Sequence, residues 1–395
     1  MWHLTRWNGL FLGTYLVTQL GGPPIANQFV GVAMFAPLVA GAYISARFDI
    51  DPRTMVFATE MVLLPVAFLM AALVLTGTVS LWMVYPFELA YGFGGMVNMT
   101  AQRELLFRMG GPLRATRVLN IEVTSMAAAM MLGPLIGGVT ISAFGLGVAF
   151  LIPAVLLGGS VVLFWMSTRH LPSHPVPLLT AVPVRRRTDW RLLSRSPTLA
   201  LILFVTVICN LCYFAFLPLV PVIAEHLDAG PAVAGVIGAA AGVAQLVIAC
   251  GLVVRPVRRP WLAYVGGVAL CLCCLGIVGV SPWLSVTLAA LGVAGIGQAL
   301  FGSTQATLPV AAVQVHERTA ALGLLSTTIG AALPAGMVIL GISSSVMGPQ
   351  RAMLVSALTG LVALAATAVI TRRYLNRPTS GGSACRGGEG DSVAA

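Results

Sequence analysis

The feature that most constrains this chain is a series of long apolar segments separated by short stretches that contain arginine. Of the 395 residues, 58% are hydrophobic and only 9% are charged, whereas a soluble domain has roughly 25% charged residues. A chain so poor in charge cannot cover a soluble surface, so its apolar residues must face lipid or one another. The segments are rich in Leu, Ala and Gly and do not alternate, which favours membrane-spanning helices over a β-barrel.

Twelve segments are long enough to cross a bilayer, because a helical span needs about 20 apolar residues. The predicted spans are residues 5–22, 26–46, 54–76, 80–102, 118–142, 147–168, 198–221, 230–254, 261–279, 283–308, 319–341 and 351–372. The first can also be read as a signal peptide, but its basic region is thin and no cleavage site stands out. We therefore assign it as a helix and predict an all-α membrane protein with twelve transmembrane helices.

The arginines predict the orientation of the chain. The net charge of +10 comes from arginine alone, since lysine does not occur. With the N-terminus in the cytoplasm, 21 of the 22 arginines, Arg6 included, fall on the cytoplasmic side and only Arg351 falls outside. Cytoplasmic loops carry such an excess of basic residues. The pattern predicts a multi-pass protein of the inner (plasma) membrane with both termini in the cytoplasm, and it explains the basic charge better than nucleic-acid binding does.

A Pro- and Arg-rich loop divides the spans into six and six. The predicted units are an N-terminal six-helix bundle (1–168), a basic cytoplasmic linker (169–197), a C-terminal six-helix bundle (198–375) and a disordered cytoplasmic tail (376–395). A shift of 200 residues aligns Pro134 with Pro334 and Gly95 with Gly295. Parallel repeats of six spans are typical of transporters that bind their substrate where the repeats meet.

Three local stretches carry a family resemblance. After span 2 the chain reads Gly41-Ala-Tyr-Ile-Ser-Ala-Arg-Phe-Asp-Ile-Asp-Pro-Arg53, a glycine followed by acidic and basic residues. Span 5 contains Ala129-Ala-Met-Met-Leu-Gly-Pro-Leu-Ile-Gly-Gly138, close to G-x-x-x-G-P-x-x-G-G, and a basic segment leads into span 7 and its Leu-Pro-Leu-Val-Pro run. With the six-plus-six architecture, these stretches resemble the major facilitator superfamily. Within it, they are similar to the bacterial exporter branch of the enterobactin exporter and related drug efflux permeases.

The resemblance implies a fold of two six-helix bundles and an alternating-access carrier driven by protons. It implies a monomer in the lipid bilayer whose partners are a small-molecule substrate and protons, with no nucleic acid, cofactor, metal or enzymatic activity. Ser45 or Ala46 stands where the family motif has an acidic residue that latches the cytoplasmic gate, and Asp49 and Asp51 are candidates to replace it. The gate residues expected from the motif and its neighbours are Arg47, Asp49, Asp51, Arg53, Arg117 and Glu122.

The glycines of span 5 have a packing interpretation that also explains their function. Gly133, Gly137 and Gly138 permit close contact between helices, and Pro134 bends the helix. A bent, closely packed span suits the seam between two bundles, so we predict these four residues as the export motif of helix 5.

Each carboxylate inside a span is expected to have a function or a stabilising contact, because a charge in hydrocarbon costs several kcal/mol. Glu88 lies about eight residues into span 4, near mid-depth, which suits a proton carrier or a contact for a cationic substrate. The alternative is a structural hydrogen bond to Tyr85, Tyr91 or a neighbouring helix. Glu122 faces either the cavity mouth or the arginines at the cytoplasmic surface. Glu60, in a peripheral span, is expected to contact span 2 or the arginines of the loop motif.

Uncharged polar residues complete the predicted proton and substrate cavity. Each of them either hydrogen-bonds a substrate or ties two helices together. Besides Glu88, the predicted cavity residues are Asn98, Asn210, Tyr213, Gln245, Gln298 and Gln305. No P-loop is present, which disfavours ATP-driven transport by this chain, and no His or Cys pattern favours a metal site.

The leading hypothesis is proton-coupled efflux of a small apolar or cationic drug-like molecule. The alternative within the same fold is export of an endogenous siderophore or secondary metabolite. A polytopic membrane enzyme would require a polar catalytic cluster at one membrane face, which the sequence lacks. A non-transporting sensor or scaffold is a further alternative, because the loop motif is degraded.

Overall fold

The computed structural model of the protein describes residues 1–39, 51–110, 115–170, 190–255, 257–305, 307–314 and 317–375. Twelve long helices run through these residues. They are α1 Trp2–Gln19, α2 Pro24–Phe35, α3 Pro52–Leu75, α4 Leu81–Gly110, α5 Ala115–Phe144, α6 Leu146–Thr168, α7 Pro197–His226, α8 Pro231–Val254, α9 Pro260–Val280, α10 Leu284–Gln305, α11 Arg318–Met347 and α12 Pro349–Leu375. Short helices at Arg191–Arg195 and Thr307–Ala311 precede α7 and α11.

Every predicted span overlaps one of these helices, although the end of predicted span 2 lies outside the described residues. Nine of the helices, α3 and α5 to α12, are long and apolar enough to cross a membrane, counted over the described chain alone. The apolar part of α2 is shorter, Pro24–Val39. The other two, α1 and α4, are the helices that hold the buried side chains of Arg6 and Glu88.

Proline and glycine explain where many of the helices begin and end. Proline suits the first turn, since its φ is already helical and it has no N–H to leave unpaired. It starts six helices, at Pro24, Pro52, Pro197, Pro231, Pro260 and Pro349. Glycines with positive φ occupy the turns after α1, α3, α5 and α11, at Gly21, Gly77, Gly145 and Gly348 (φ 72, 69, 84 and 85°). Glycine adopts this conformation without steric cost, so consecutive helices reverse direction within a few residues.

The side chains are distributed as expected of a protein in lipid. Large apolar residues such as Leu262 and Val362 are exposed on the outside of the helices. Arg6, Glu60 and Glu88, in contrast, are buried among helices. Because hydrocarbon offers no hydrogen bonds, polar side chains are stabilised inside the protein and apolar ones on its surface.

The helix contacts group the chain into two sets of six. In the first half, α1 packs on α5 and α6, and α3 packs on α4 and α6. In the second half, α10 packs on α8 and α9, and α12 packs on α9 and α11. The main contacts between the halves are α5 with α8 and α2 with α11. The predicted fold class, twelve transmembrane helices in two six-helix bundles, is confirmed; the predicted boundaries of the two bundles, the linker and the tail all stay predictions.

Candidate functional site

A cavity lies where the two bundles meet, and its atom-free space, part of which is open to solvent, is about 650 Å³. Helices of both halves surround it: α1 and α5 from the first, and α7, α8 and α10 from the second. Its lining consists of Trp7, Leu10, Phe11, Thr14, Met130, Pro134, Phe216, Leu217, Val220, Ile237, Gly238, Ala241, Gly242, Gln245, Leu291 and Gln298. Among these described residues none carries a charged side chain.

Three polar residues break this apolar lining. Thr14 donates its hydroxyl to the carbonyl oxygens of its own helix, at 2.9 Å from both Leu10 and Phe11. Gln298 of α10 donates from Nε2 to the hydroxyl oxygen of Tyr213 at 2.8 Å. The Oε1 atom of Gln245 is buried and has no hydrogen-bond partner among the described residues. Two of the predicted cavity residues, Gln245 and Gln298, therefore line the cavity, and Tyr213 supports one of them from behind.

Helix α7 changes its winding beside the cavity. A π-helical turn at Cys209–Tyr213 follows the α-helix Pro197–Ile208, and a 3-10 segment at Phe214–Leu219 follows the π turn. Such local irregularities are frequent at functional sites, since they redirect side chains. Here the 3-10 segment supplies Phe216 and Leu217 to the cavity wall. Asn210, predicted as a cavity residue, instead donates from Nδ2 to the carbonyl oxygen of Thr206 at 2.9 Å, within its own helix.

The residues predicted as the export motif of helix 5 lie at the seam, where α5 packs against two neighbouring helices, α1 and α8. A Cβ on Gly133 would lie 2.8 Å from the backbone nitrogen of Asn8 in α1. A Cβ on Gly138 would lie 2.5 Å from the carbonyl oxygen of Pro231 in α8, and one on Gly235 would lie 2.5 Å from that of Pro134. The glycines therefore allow backbone-to-backbone approach of α5 to both helices.

A second seam joins α2 to α11. Gly31 of α2 faces Met337, where an added Cβ would lie 2.7 Å from the sulfur. Gly341 of α11 faces Gln28, whose Cβ would lie 3.1 Å from the added atom. No sequence motif indicates this seam, because its contacts join small residues to long flexible side chains.

Arg6 and Glu88 form a buried polar layer behind the cavity wall, between α1 and α4. Arg6 is 2% exposed and Glu88 is 1% exposed. The guanidinium of Arg6 lies 3.6 Å from the sulfur of Met99 and 5.3 Å from the ring centre of Phe35. Glu88 Oε1 is buried beside Gly13, which directly precedes the cavity residue Thr14, and has no hydrogen-bond partner among the described residues.

Glu60 belongs to a separate cluster. Asn98 of α4 donates from Nδ2 to Glu60 Oε1 at 3.4 Å, and Ser160 of α6 donates from its hydroxyl to the same oxygen at 3.2 Å. None of the three residues lines the central cavity. Asn98, predicted as a cavity residue, thus contacts Glu60 instead, and the carboxylate of Glu60 joins three helices of the first bundle.

The remaining predicted residues are spread over other parts of the chain. Gln305 ends α10 and is absent from the cavity lining. Asp51 and Arg53 lie at the start of α3. Arg47 and Asp49 lie outside the described residues, and so do the side chains of Arg117 and Glu122. The cytoplasmic gate therefore stays a prediction.

Sequence reasoning missed the role of Arg6. It assigned this arginine to the cytoplasmic surface, whereas the structure buries its side chain in α1. A signal was present in the sequence, because Arg6 falls within predicted span 1 together with Asn8 and Thr14, an unusual density of polar residues for a span.

Comparisons with known proteins agree on the architecture. A family model described as Major Facilitator Superfamily matches residues 4–308. The crystal structure of the nucleoside transporter NupG is 14% identical, covers 94% of this chain and 96% of its own, and has a TM-score of 0.69. A bacterial homolog of the human lysosomal transporter Spinster, inward-facing and occupied, is 12% identical, covers 95% of both chains and has a TM-score of 0.70. A comparison with curated protein sequences found no match. At these identities the two structures show a shared fold and nothing about the substrate.

Proposed function

The chain belongs to the Major Facilitator Superfamily, and we propose that it is a proton-coupled exporter of small, largely apolar organic molecules. As a member of this family it is a membrane transporter for small molecules that works by alternating access. Direction, coupling ion and substrate class are the proposed parts.

The observation that carries the proposal is the composition of the cavity between the bundles. Its walls are apolar and partly aromatic, with Trp7, Phe11 and Phe216 among them, and none of its described residues is charged. A binding site of this kind gains affinity by burying apolar surface and uses a few polar groups for orientation. It therefore supports a neutral substrate over a cationic one.

Two polar atoms of the lining residues support a specific substrate chemistry. The indole N–H of Trp7 and Oε1 of Gln245 are buried without hydrogen-bond partners in the described structure. Buried polar groups without partners are costly, by about 1–3 kcal/mol each. A molecule with one acceptor and one donor, such as an aromatic amide, would satisfy both.

The proton would be carried by Glu88, whose position suits coupling without contact to the substrate. Its carboxyl lies against Gly13 on one side of α1, while the adjacent Thr14 lines the cavity. A shift of α1 would therefore act on the carboxyl and on the cavity wall together. Intramembrane carboxyl groups in such locations commonly belong to proton pathways.

Reconstituted full-length protein tests this function. Proteoliposomes with an acidic interior are supplied either with chloramphenicol, a neutral amide that also carries an aromatic ring, or with the cation ethidium. We expect accumulation of the amide that a protonophore abolishes. Transport of the amide at the same level with and without the proton gradient would refute proton coupling. Accumulation of ethidium without the amide would refute the substrate class, and transport of neither would count against the exporter itself.

A further inference from the structure

We propose that the buried guanidinium of Arg6, with Trp2 and Thr5 beside it on α1, forms a binding site for a small monovalent anion such as chloride. The site lies in the α1–α4 interface of the first bundle. None of the three residues lines the central cavity, so the anion would bind apart from the transported molecule.

One edge of the Arg6 guanidinium has no hydrogen-bond acceptor. The side chain is 2% exposed, and its Nη1 donates to the sulfur of Met99 at 3.6 Å. Its Nε and Nη2 are buried and have no partner in the described part of the chain. The N–H bonds of these two nitrogens point the same way, which is the arrangement that holds an anion through two parallel hydrogen bonds. A buried cation without an acceptor is strongly destabilised, so this edge favours a negatively charged partner.

Trp2 and Thr5 add two further donors on the same face of α1. Residues at positions i, i+3 and i+4 of a helix share one face, and Trp2, Thr5 and Arg6 have this spacing. The indole N–H of Trp2 and the hydroxyl of Thr5 are buried without hydrogen-bond partners among the described residues. This excess of donors suits an anion better than a water molecule, because water would need acceptors for its own two hydrogens.

Helix α4 closes the site from the other side. A Cβ on Gly94 would lie 3.2 Å from Cη2 of Trp2, and a Cβ on Gly95 would lie 2.8 Å from Cζ of Arg6. The indole and the guanidinium therefore lie side by side on the backbone of α4. Tyr91 of α4 stacks on Trp2 with ring centroids 6.4 Å apart, and its hydroxyl is buried with no partner in the described structure. Such close packing favours a single small anion over a carboxylate or a phosphate.

Glu88 belongs to the same interface but does not supply the missing acceptor. Its Oε1 lies beside Gly13, which is seven residues from Arg6 along α1, or about 10 Å. While Glu88 is ionised, its charge offsets that of Arg6 at this distance. When Glu88 carries a proton, Arg6 has no counter-charge in the interface, and a monovalent anion restores neutrality inside the membrane. In this respect alone the inference rests on the proposed function.

Thermal melting of the purified full chain in an uncharged detergent tests the site, with sodium chloride exchanged for sodium gluconate at constant ionic strength. A ligand that binds only the folded state raises the melting temperature, so we expect chloride to raise it saturably by roughly 2 °C or more. Arg6→Gln should lose this shift, because the amide has neither the charge nor the two-nitrogen edge. Arg351→Gln is the control, since this arginine is exposed at the start of α12, and it should keep the wild-type shift.

Two milder variants separate anion binding from packing. Trp2→Phe keeps an aromatic ring against Gly94 but removes the indole N–H, so it should raise the half-saturating chloride concentration roughly tenfold. Glu88→Gln removes the carboxylate without changing the size of the side chain, and it should bind chloride at least as tightly as the wild type. Equilibrium binding of radioactive chloride should rank the variants in the same order without depending on their melting temperatures.

The absence of a saturable chloride effect in the wild type would overturn the site. An equal effect in a folded Arg6→Gln variant would identify a general effect of salt and would also overturn it, as would loss of chloride binding in Glu88→Gln. If Arg6→Gln fails to fold, an unchanged half-saturating concentration for Trp2→Phe contradicts the site instead. A failure of proton-driven export in the proteoliposome assay would leave all of these binding measurements unaffected.

Discussion

Arg6 and Glu88 lie buried on the neighbouring antiparallel helices α1 and α4, each against a glycine of the other helix. A Cβ on Gly95 would lie 2.8 Å from Cζ of Arg6, and a Cβ on Gly13 would lie 2.7 Å from Oε1 of Glu88. The same seven-residue interval separates the two contacts along both helices, which corresponds to about 10 Å along the helix axis. The side chains of Arg6 and Glu88, two residues of opposite charge, therefore lie in the same α1–α4 interface but do not touch.

This register links the polar layer to the cavity. Arg6 directly precedes the cavity residue Trp7, and Gly13 directly precedes Thr14. Helix α1 thus presents one face to the cavity and another face, which carries Arg6 and Gly13, to α4 and Glu88. A change at either face requires α1 to adjust at the other.

Replacement of Glu88 by glutamine should abolish proton-driven accumulation and leave the fold intact. The amide keeps the size of the side chain but cannot take up or release a proton. We expect a loss of roughly tenfold or more in accumulation under a proton gradient, measured in proteoliposomes, with substrate exchange in the absence of a gradient retained. Glu225→Gln is the control, since Glu225 is exposed at the end of α7. Unchanged accumulation by Glu88→Gln would contradict the assignment of Glu88 as the proton carrier.

Gly13→Ala should alter transport more than stability. The added methyl group meets the end of the Glu88 side chain at 2.7 Å, and this flexible side chain can move aside. We therefore expect a near-normal melting temperature but slower proton-driven transport. Gly9→Ala, on the same helix, has nothing within 4 Å of the added carbon and should leave both unchanged. Equal transport by the two variants would show that the position of the Glu88 carboxyl is unimportant.

Gly235→Ala should destabilise the protein, because its methyl group meets backbone that cannot yield. The added carbon would lie 2.5 Å from the carbonyl oxygen of Pro134 across the α5–α8 seam. Forced overpacking of this kind costs about 1–3 kcal/mol, which a thermal or denaturant melt in detergent detects. Gly251→Ala, also on α8, meets nothing within 4 Å and serves as the control. A wild-type melting temperature for Gly235→Ala would argue against the close approach of these helices.

Tyr213→Phe should change substrate affinity as well as stability. It removes the hydroxyl that accepts from Gln298 at 2.8 Å, and the freed amide can turn toward the cavity. Tyr264→Phe removes a comparable buried hydroxyl, which is hydrogen-bonded to Thr206 at 2.6 Å. Unlike Gln298, the partner of Tyr213, Thr206 does not line the cavity. Both variants should lose about 1 kcal/mol of stability, but only Tyr213→Phe should change the apparent affinity for a transported amide. An identical shift in both would refute a role for Gln298 in binding.

Gln245→Glu should shift the preference of the cavity from neutral to cationic molecules. The substitution adds a carboxyl group to a lining that has no charged residue among those described. We expect weaker transport of chloramphenicol and new binding of ethidium, measured by competition in proteoliposomes. Gln314→Glu makes the same change at an exposed position and should have no effect. A cavity that still excludes ethidium and transports the amide normally would contradict the proposed substrate site.

The membrane fold could be predicted because lipid imposes the same requirement on every span, namely a helix of mostly apolar residues long enough to cross the bilayer. Predicted span 147–168 corresponds to α6, Leu146–Thr168, and predicted span 261–279 corresponds to α9, Pro260–Val280. The seam role of Gly133 to Gly138 could also be predicted, since a run of small residues has few other uses in a membrane helix. Gln245 and Gln298 could be predicted for the cavity from their polarity and from their position in spans expected to form it.

The partners of the other polar residues could not be predicted in the same way. Asn98 and Glu60 are distant in sequence, and only the packing of α4 on α3 brings them together. The change of winding in α7 has a partial sequence signal in Pro218, which lies in the 3-10 segment and removes a helical hydrogen bond, but the apolar sequence does not show that the π-helical turn precedes it.

The sequence by itself determined that this chain forms helices in a membrane, how many spans it has and where they turn, because the cost of exposing backbone and charge to lipid acts on each segment separately. Tertiary structure decided which side chains share a space. It buried Arg6 rather than leaving it at the surface, placed Gly13 against Glu88, and joined Glu60 to Asn98 and Ser160. These pairings depend on the rotation and register of whole helices, which hydropathy does not specify.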